Sequence, residues 1–161
     1  MLESEGVVTY RPNIGHTVAR LNRKQLAEIY EMRELLETYV LRTIDLASID
    51  IESLVSLNDD IARASADGQT DECAKLNEAF HFKIFDASPL VLFRAEIARL
   101  WNMSGYYRAL LIQEPTQRAL VLEEHEAIIR AVTSRDIPQI IATTDVHRSW
   151  RGTSAPFFLH G

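Results

Sequence analysis

The sequence predicts an all-α fold, an antiparallel helical bundle of about six helices preceded by a short N-terminal β-hairpin. Three observations predict it. From about Asn22 onward, apolar residues recur at spacings of three and four, the helical period, rather than at two. Helix-ending signals recur along the chain at Asp67-Gly68, Ser88-Pro89, Glu114-Pro115 and Asp136-Ile137-Pro138. No internal repeat, Gly-rich phosphate loop or low-complexity stretch interrupts that pattern.

The elements follow in order. Residues 1–20 hold two short β-branched runs, Gly6 to Tyr10 and Thr17 to Ala19, around Arg11-Pro12-Asn13-Ile14-Gly15-His16, which predicts a small hairpin. A first helix is expected from about Asn22 to Ala47. A second begins near Asp50, where Ser48 or Asp50 can cap the exposed amides, and it ends at Asp67-Gly68. A third covers about Asp71 to Ala87 with Asp71 near its cap. Ser88-Pro89 ends it and places proline in the first turn of the fourth. Glu114-Pro115 repeats the device for a fifth helix reaching about Arg135, and Asp136-Ile137-Pro138 opens a sixth that fades near Gly152. The tail from Thr153 to Gly161 carries no helical signal.

Composition narrows the function. The chain has 161 residues, 47% of them hydrophobic, enough to bury one sizeable core. Its formal net charge of −6 argues against a self-sufficient nucleic-acid surface, which needs clustered Lys and Arg in excess of the acids. A single cysteine, Cys73, excludes an internal disulfide and a Cys-rich zinc site; it fits a reducing cytoplasm and reads as a small buried hydrophobe. No apolar run approaches the roughly 20 residues of a membrane span, so no membrane partner is expected.

Several polar residues fall where the helical period puts the core. At about 100° per residue, Asn77 and His81 sit one turn apart beside Ala74, Ile84 and Phe85. His125 falls within the stripe of Val121, Leu122, Ile128, Ile129 and Val132. His147 shares a face with Ile140, Thr143, Thr144 and Trp150. Three helices thus aim imidazoles at one interior, where buried rings need partners and protonated rings would repel one another. One divalent cation, such as zinc, nickel, manganese or iron, satisfies all three, with the oxygen of Asn77 completing the protein ligands. The alternative is three histidines that each hydrogen-bond separately in the core.

Arg33 is the second anomaly, lying in the centre of the first helix's stripe of Ile29, Leu36, Val40 and Ile44. It is either an internal ion pair, with Glu37 one turn on, or the receptor for a ligand carboxylate that also reaches the metal. Thr143, Thr144, Tyr106 and Tyr107 are candidates for the pocket lining, with plain packing as the alternative. The carboxylates of Glu78, Glu124 and Glu126 rotate away from the metal face. That weighs against a metal-dependent hydrolase or oxygenase, which would need an acid or base there. A metal-free bundle used only for dimerisation is the remaining alternative.

With these residues in hand, the chain resembles the GntR superfamily of bacterial regulators, in the subfamily with the FadR C-terminal (FCD) effector domain. The resemblance covers nearly the whole sequence. Glu31-Met32-Arg33-Glu34-Leu35-Leu36-Glu37 is similar to the family's Glu-x-Arg-x-x-Leu-Glu signature, and Asn77-Glu78-Ala79-Phe80-His81 to its Asp/Asn-x-x-Phe-His segment. Glu124-His125-Glu126-Ala127-Ile128-Ile129-Arg130-Ala131, Arg135-Asp136 and His147 follow in order.

The resemblance implies a helical effector domain in which Asn77, His81, His125 and His147 bind a divalent metal and Arg33 meets the carboxylate of a small effector. Asn77 stands where many members carry Asp, which removes one negative charge from the site. The N-terminal stretch resembles the end of a winged helix-turn-helix domain, so residues 1–21 are expected to be its wing remnant and residues 22–161 the effector-binding and dimerisation domain. Arg11 and Gly15 match positions that approach operator DNA, although Ile14 stands where members often carry arginine. The helices that precede this wing in the family are not in the sequence, so operator DNA is expected as a partner only through a complete winged domain. A homodimer is expected because palindromic operators demand two-fold proteins.

Overall fold

The computed structural model describes residues 8–11, 15–18 and 21–154, with side chains from 21 to 148. Strands β1 (Val8–Arg11) and β2 (Gly15–Val18) pair antiparallel, with Val8 opposite Val18 and Arg11 opposite Gly15. The hairpin therefore forms where the β-branched runs predict it. The side chain of Arg11, the loop residue Ile14 and residues 155–161 of the tail lie outside the described residues.

Six helices follow among the described residues: α1 (Arg23–Leu41), α2 (Ile51–Ala66), α3 (Thr70–Phe85), α4 (Val91–Gln113), α5 (Pro115–Thr133) and α6 (Ile137–Ser154). Their ends have local causes. Asn22 caps α1 through a reciprocal pair of bonds with Gln25, at 2.9 and 3.0 Å, satisfying two amides that the helix leaves open. Replacing Asn22 by alanine should lower stability by about 1 kcal/mol, read as the shift in a urea transition. Asp50 accepts from the Ser53 amide at the head of α2, and Asp136 accepts from Gln139 at the head of α6. The Ser53 hydroxyl also donates to Asp50, and these two bonds from Ser53 hold the Asp50 carboxyl below its ordinary range, so the cap acts above that range and weakens as pH falls through the lowered value.

Two helices close in the same way. Gly68 (φ 70°) follows α2, and its neighbour Gln69 donates back to Ala64 O at 2.8 Å. Arg135 (φ 56°) follows α5, with Asp136 donating to Ala131 O at 3.2 Å. Both are left-handed terminators that satisfy the last carbonyls and turn the chain sharply back. These short connections set α2 against α3 and α5 against α6 as antiparallel pairs.

Three boundaries differ from the sequence expectation. The first helix stops at Leu41 rather than Ala47, because Thr43 turns its hydroxyl onto Val40 O at 2.8 Å and Ser88 Oγ at 2.7 Å. Asp45 N then bonds Ala87 O at 2.9 Å, so a contact 42 residues along the chain fixes the turn. The residue before α3 is Gln69, with no side-chain cap; Asp71 instead lies in the first turn beside Glu72, where negative charge favours the helix dipole. Pro89 precedes α4, which begins at Val91, and does not lie inside its first turn.

The helices neighbour one another in a closed circuit: α1 on α4, α4 on α3, α3 on α2, α2 on α5, α5 on α6, and α6 back on α1. The main core lies inside that ring, built from Val40, Leu41, Leu54, Phe80, Ile84, Ile97, Trp101, Ile128 and Ile140 among others. Cys73 is buried and unpaired, and burial pushes its thiol pKa up, as for a small hydrophobe. None of the described helices is long and apolar enough to cross a membrane.

Candidate metal centre

The inner end of the polar set is formed by α3, α5 and α6. His81, His125 and His147 are at most 3% exposed, held there by the apolar stripes that flank each of them. Their Nε2 atoms converge: His81 lies 2.9 Å from His147 and 3.3 Å from His125. One ligand atom from each of the three falls within 4.8 Å of the other two. Nitrogens that share a cation at about 2.1 Å lie about 3 to 3.5 Å apart, the spacing these rings already approach.

The outer ring nitrogens have partners that fix what the inner ones offer. Glu124 Oε2 lies 2.6 Å from His147 Nδ1, and Asn58 Oδ1 lies 3.1 Å from His125 Nδ1. Both partners are oxygen acceptors, so each Nδ1 carries the hydrogen, and in the neutral form each ring turns its Nε2 lone pair inward. Lone pairs that face one another at these distances repel unless a proton or a cation lies between them. Phe80 stacks on His125 at 3.9 Å and Trp101 lies 5.1 Å from the His81 ring, so the rings cannot simply swing apart.

Asn77, one turn before His81 on α3, is 1% exposed, and neither its Oδ1 nor its Nδ2 has a hydrogen-bond partner. A buried amide left unmet costs about 1 to 3 kcal/mol. The donor set, three imidazole nitrogens and an unsatisfied amide oxygen, therefore fits a divalent cation of the first transition row.

A second polar cluster adjoins the first. Glu37, 1% exposed, lies in the buried stripe of α1, while Leu36 is only half-buried. Its Oε1 accepts from Arg33 Nε at 2.8 Å and from Trp101 Nε1 at 2.7 Å, and its Oε2 accepts from Arg148 at 3.1 Å. The Arg33 guanidinium lies over the Trp101 ring, 4.3 Å from its centroid. Arg33 NH1 is buried and meets no hydrogen-bond partner among the described residues. The ion pair to Glu37 is thus present, and one end of the guanidinium is still open. Trp101 touches both clusters, and Arg148 follows His147 directly on α6.

The remaining expected site residues are dispersed. Tyr107 donates its hydroxyl to Leu21 O at 2.8 Å and packs with Leu26 and Tyr30 at the start of α1. Thr143 returns its hydroxyl to the carbonyls of Gln139 and Ile140 within α6. Thr144 is buried and Tyr106 exposed. Glu78 pairs with Arg108 at 3.2 Å and Glu126 with Arg130 at 3.7 Å, away from the imidazoles as expected. Glu124 does not follow that expectation. Its rotation on α5 carries it off the face of His125, but α6 packs on that side and brings His147 Nδ1 to it.

Asn58, Trp101, Glu124 and Arg148 are residues of this centre that sequence reasoning did not assign. Asn58 carried a readable signal, since Leu54, Asn58 and Ile61 make one stripe on α2. Arg148 carried another, one turn beyond Thr144 on the stripe begun by Ile140.

Comparison with known proteins agrees with this architecture. The FCD domain family matches residues 28–148. An uncharacterized HTH-type transcriptional regulator in an unstable DNA locus of Streptomyces ambofaciens is 28% identical over 139 residues, covering 86% of this chain. The chain spans 58% of that relative's length. Among solved structures, E. coli McbR/YncC superposes with a TM-score of 0.88 at 18% identity, over 99% of this chain and 77% of that one. A GntR-family transcriptional regulator from Pseudomonas syringae pv. tomato gives 0.61 at 17% identity, over 98% and 66%. The sequence motifs, the six-helix circuit and these matches agree, and the chain belongs to the FCD domain family.

Proposed function

We propose that this chain is the ligand-sensing part of a GntR-type transcriptional regulator, binding one divalent metal, zinc, nickel or manganese, and a small carboxylate effector. The observation that carries it is the convergence of the three inner Nε2 atoms, with the buried amide of Asn77, one turn before His81 on α3, left unsatisfied among the described residues. His81, His125 and His147, with Asn77, would hold the ion, which supplies a Lewis-acidic anchor for a carboxylate oxygen. Arg33 supports the second half of the proposal, since its buried NH1 is a charged donor that meets no acceptor among the described residues.

The residues also suggest how occupancy is transmitted. An anion accepted at Arg33 joins the network in which Glu37 ties α1 to Trp101 of α4 and Arg148 of α6. Arg148 and His147 are consecutive, so the metal cluster and the ionic cluster cannot respond independently. Binding therefore favours one packing of α1 against α4 and α6 over another, and the DNA-reading arms of a whole regulator follow. Operator recognition by a two-fold dimer, with residues 1–21 as the wing and Arg11 and Gly15 near the DNA backbone, belongs to the same proposal. The effector is bound and released without being consumed.

Metal analysis of protein purified without added metal tests the first half, and about one equivalent per chain is expected. Thermal-shift titration with small carboxylates tests the second. Arg33→Lys should remove the carboxylate response while leaving the metal in place, because a point charge cannot both hold Glu37 and present a planar fork over Trp101. An undiminished response in that variant would contradict the assignment of Arg33.

A further inference from the structure

Three neutral imidazoles and a neutral amide bring no negative charge to a dication, yet a carboxylate touches the cluster. Glu124 Oε2 is 2.6 Å from His147 Nδ1, with the glutamate side chain 12% exposed and the histidine 4%. On the other side, His125 Nδ1 meets a neutral acceptor, Asn58 Oδ1, at 3.1 Å. The two outer contacts are thus unequal, one short and to a carboxylate, the other longer and to an amide.

We propose that Glu124 is a positioning residue for the metal centre. It holds His147 as the Nδ1–H tautomer and lends that ring the negative charge that the donor set lacks, while Asn58 does the neutral half of the same work on His125. This rests on the proposed metal site and deepens it. A carboxylate accepting from the far nitrogen of an imidazole fixes the ring's orientation and raises the basicity of its inner nitrogen. His147 is then a stronger donor than His125, whose outer acceptor is an amide, and it sits beside Arg148, where the ionic cluster begins. Among the described residues the donor set holds no carboxylate of the chain, so the charge that the chain itself brings comes through α5, and metal affinity depends on how α5 packs against α6.

The test is zinc affinity by chelator competition in the full chain, for wild type, Glu124→Gln and Glu124→Asp. Glu124→Gln keeps the shape and removes the charge, and it should bind zinc about ten- to a hundredfold more weakly. Glu124→Asp keeps the charge with shorter reach and should fall between, which preserves the test if the glutamine variant does not fold. Long-range proton–nitrogen correlation on the metal-free protein gives a readout that a merely structural role would not move. His147 should be the Nδ1–H tautomer in wild type and lose that preference in Glu124→Leu, which removes the acceptor oxygen that glutamine would keep. Zinc affinity within twofold of wild type in a folded Glu124→Gln, or an Nε2–H tautomer for His147 in wild type, would overturn the inference. Wild type that binds no zinc would remove the metal reading itself.

Discussion

His125→Ala is expected to lose bound metal altogether and, with it, all metal-dependent stabilisation. In wild type, a free metal concentration a hundredfold above the dissociation constant should raise unfolding stability by about 2.7 kcal/mol. The variant should show none of that increment at the same concentration. His125 is fully buried and stacked on Phe80, so its truncation also leaves a cavity costing about 2 to 5 kcal/mol without any metal. The diagnostic quantity is therefore the difference between metal-loaded and metal-free stability, measured by denaturant titration for each protein. A variant that kept the wild-type increment would place the ion elsewhere.

The second large effect is expected at Glu37. Its two oxygens accept from Arg33, Trp101 and Arg148, in a region where none of the three charged residues is more than 4% exposed. Glu37→Ala strands the Arg33 guanidinium in the core and leaves Arg148 with Asp145 alone. Breaking a buried ion pair by removing one partner costs about 3 to 5 kcal/mol, mostly the penalty of the charges left behind. For a chain of this size that lowers the thermal midpoint by on the order of 10 °C. Glu37→Gln retains one acceptor and should cost less than the alanine variant. A Glu37→Ala protein within 1 kcal/mol of wild type by urea titration would show that the cluster does not hold α1, α4 and α6 together.

Much of this was legible in the sequence because helices write their faces into a fixed period. His81, His125 and His147 each fall within an apolar stripe, and that placement alone turns them inward. Arg33 was legible for the same reason, although the periodicity left its partner open between Glu37 and a ligand. Glu124 was not legible. Its position on α5 says that it leaves the face of His125, and only the packing of α6 against α5 decides what it meets. The end of α1 was hidden likewise, since Thr43 stops the helix through contact with Ser88, a residue on the far side of α2 and α3 in sequence. Local pattern fixes what a helix offers, and the choice of neighbour fixes what it touches. Tyr107 shows the limit from the other side: its place on α4 suits a pocket wall, but its hydroxyl closes on Leu21, beside the first helix cap.

Anomalous diffraction from crystals of the full chain grown with zinc would locate the ion directly. A single strong peak within bonding distance of the Nε2 atoms of His81, His125 and His147 is the expected result. Density confined to surface carboxylates, with the three rings packed around nothing but one another, would contradict it.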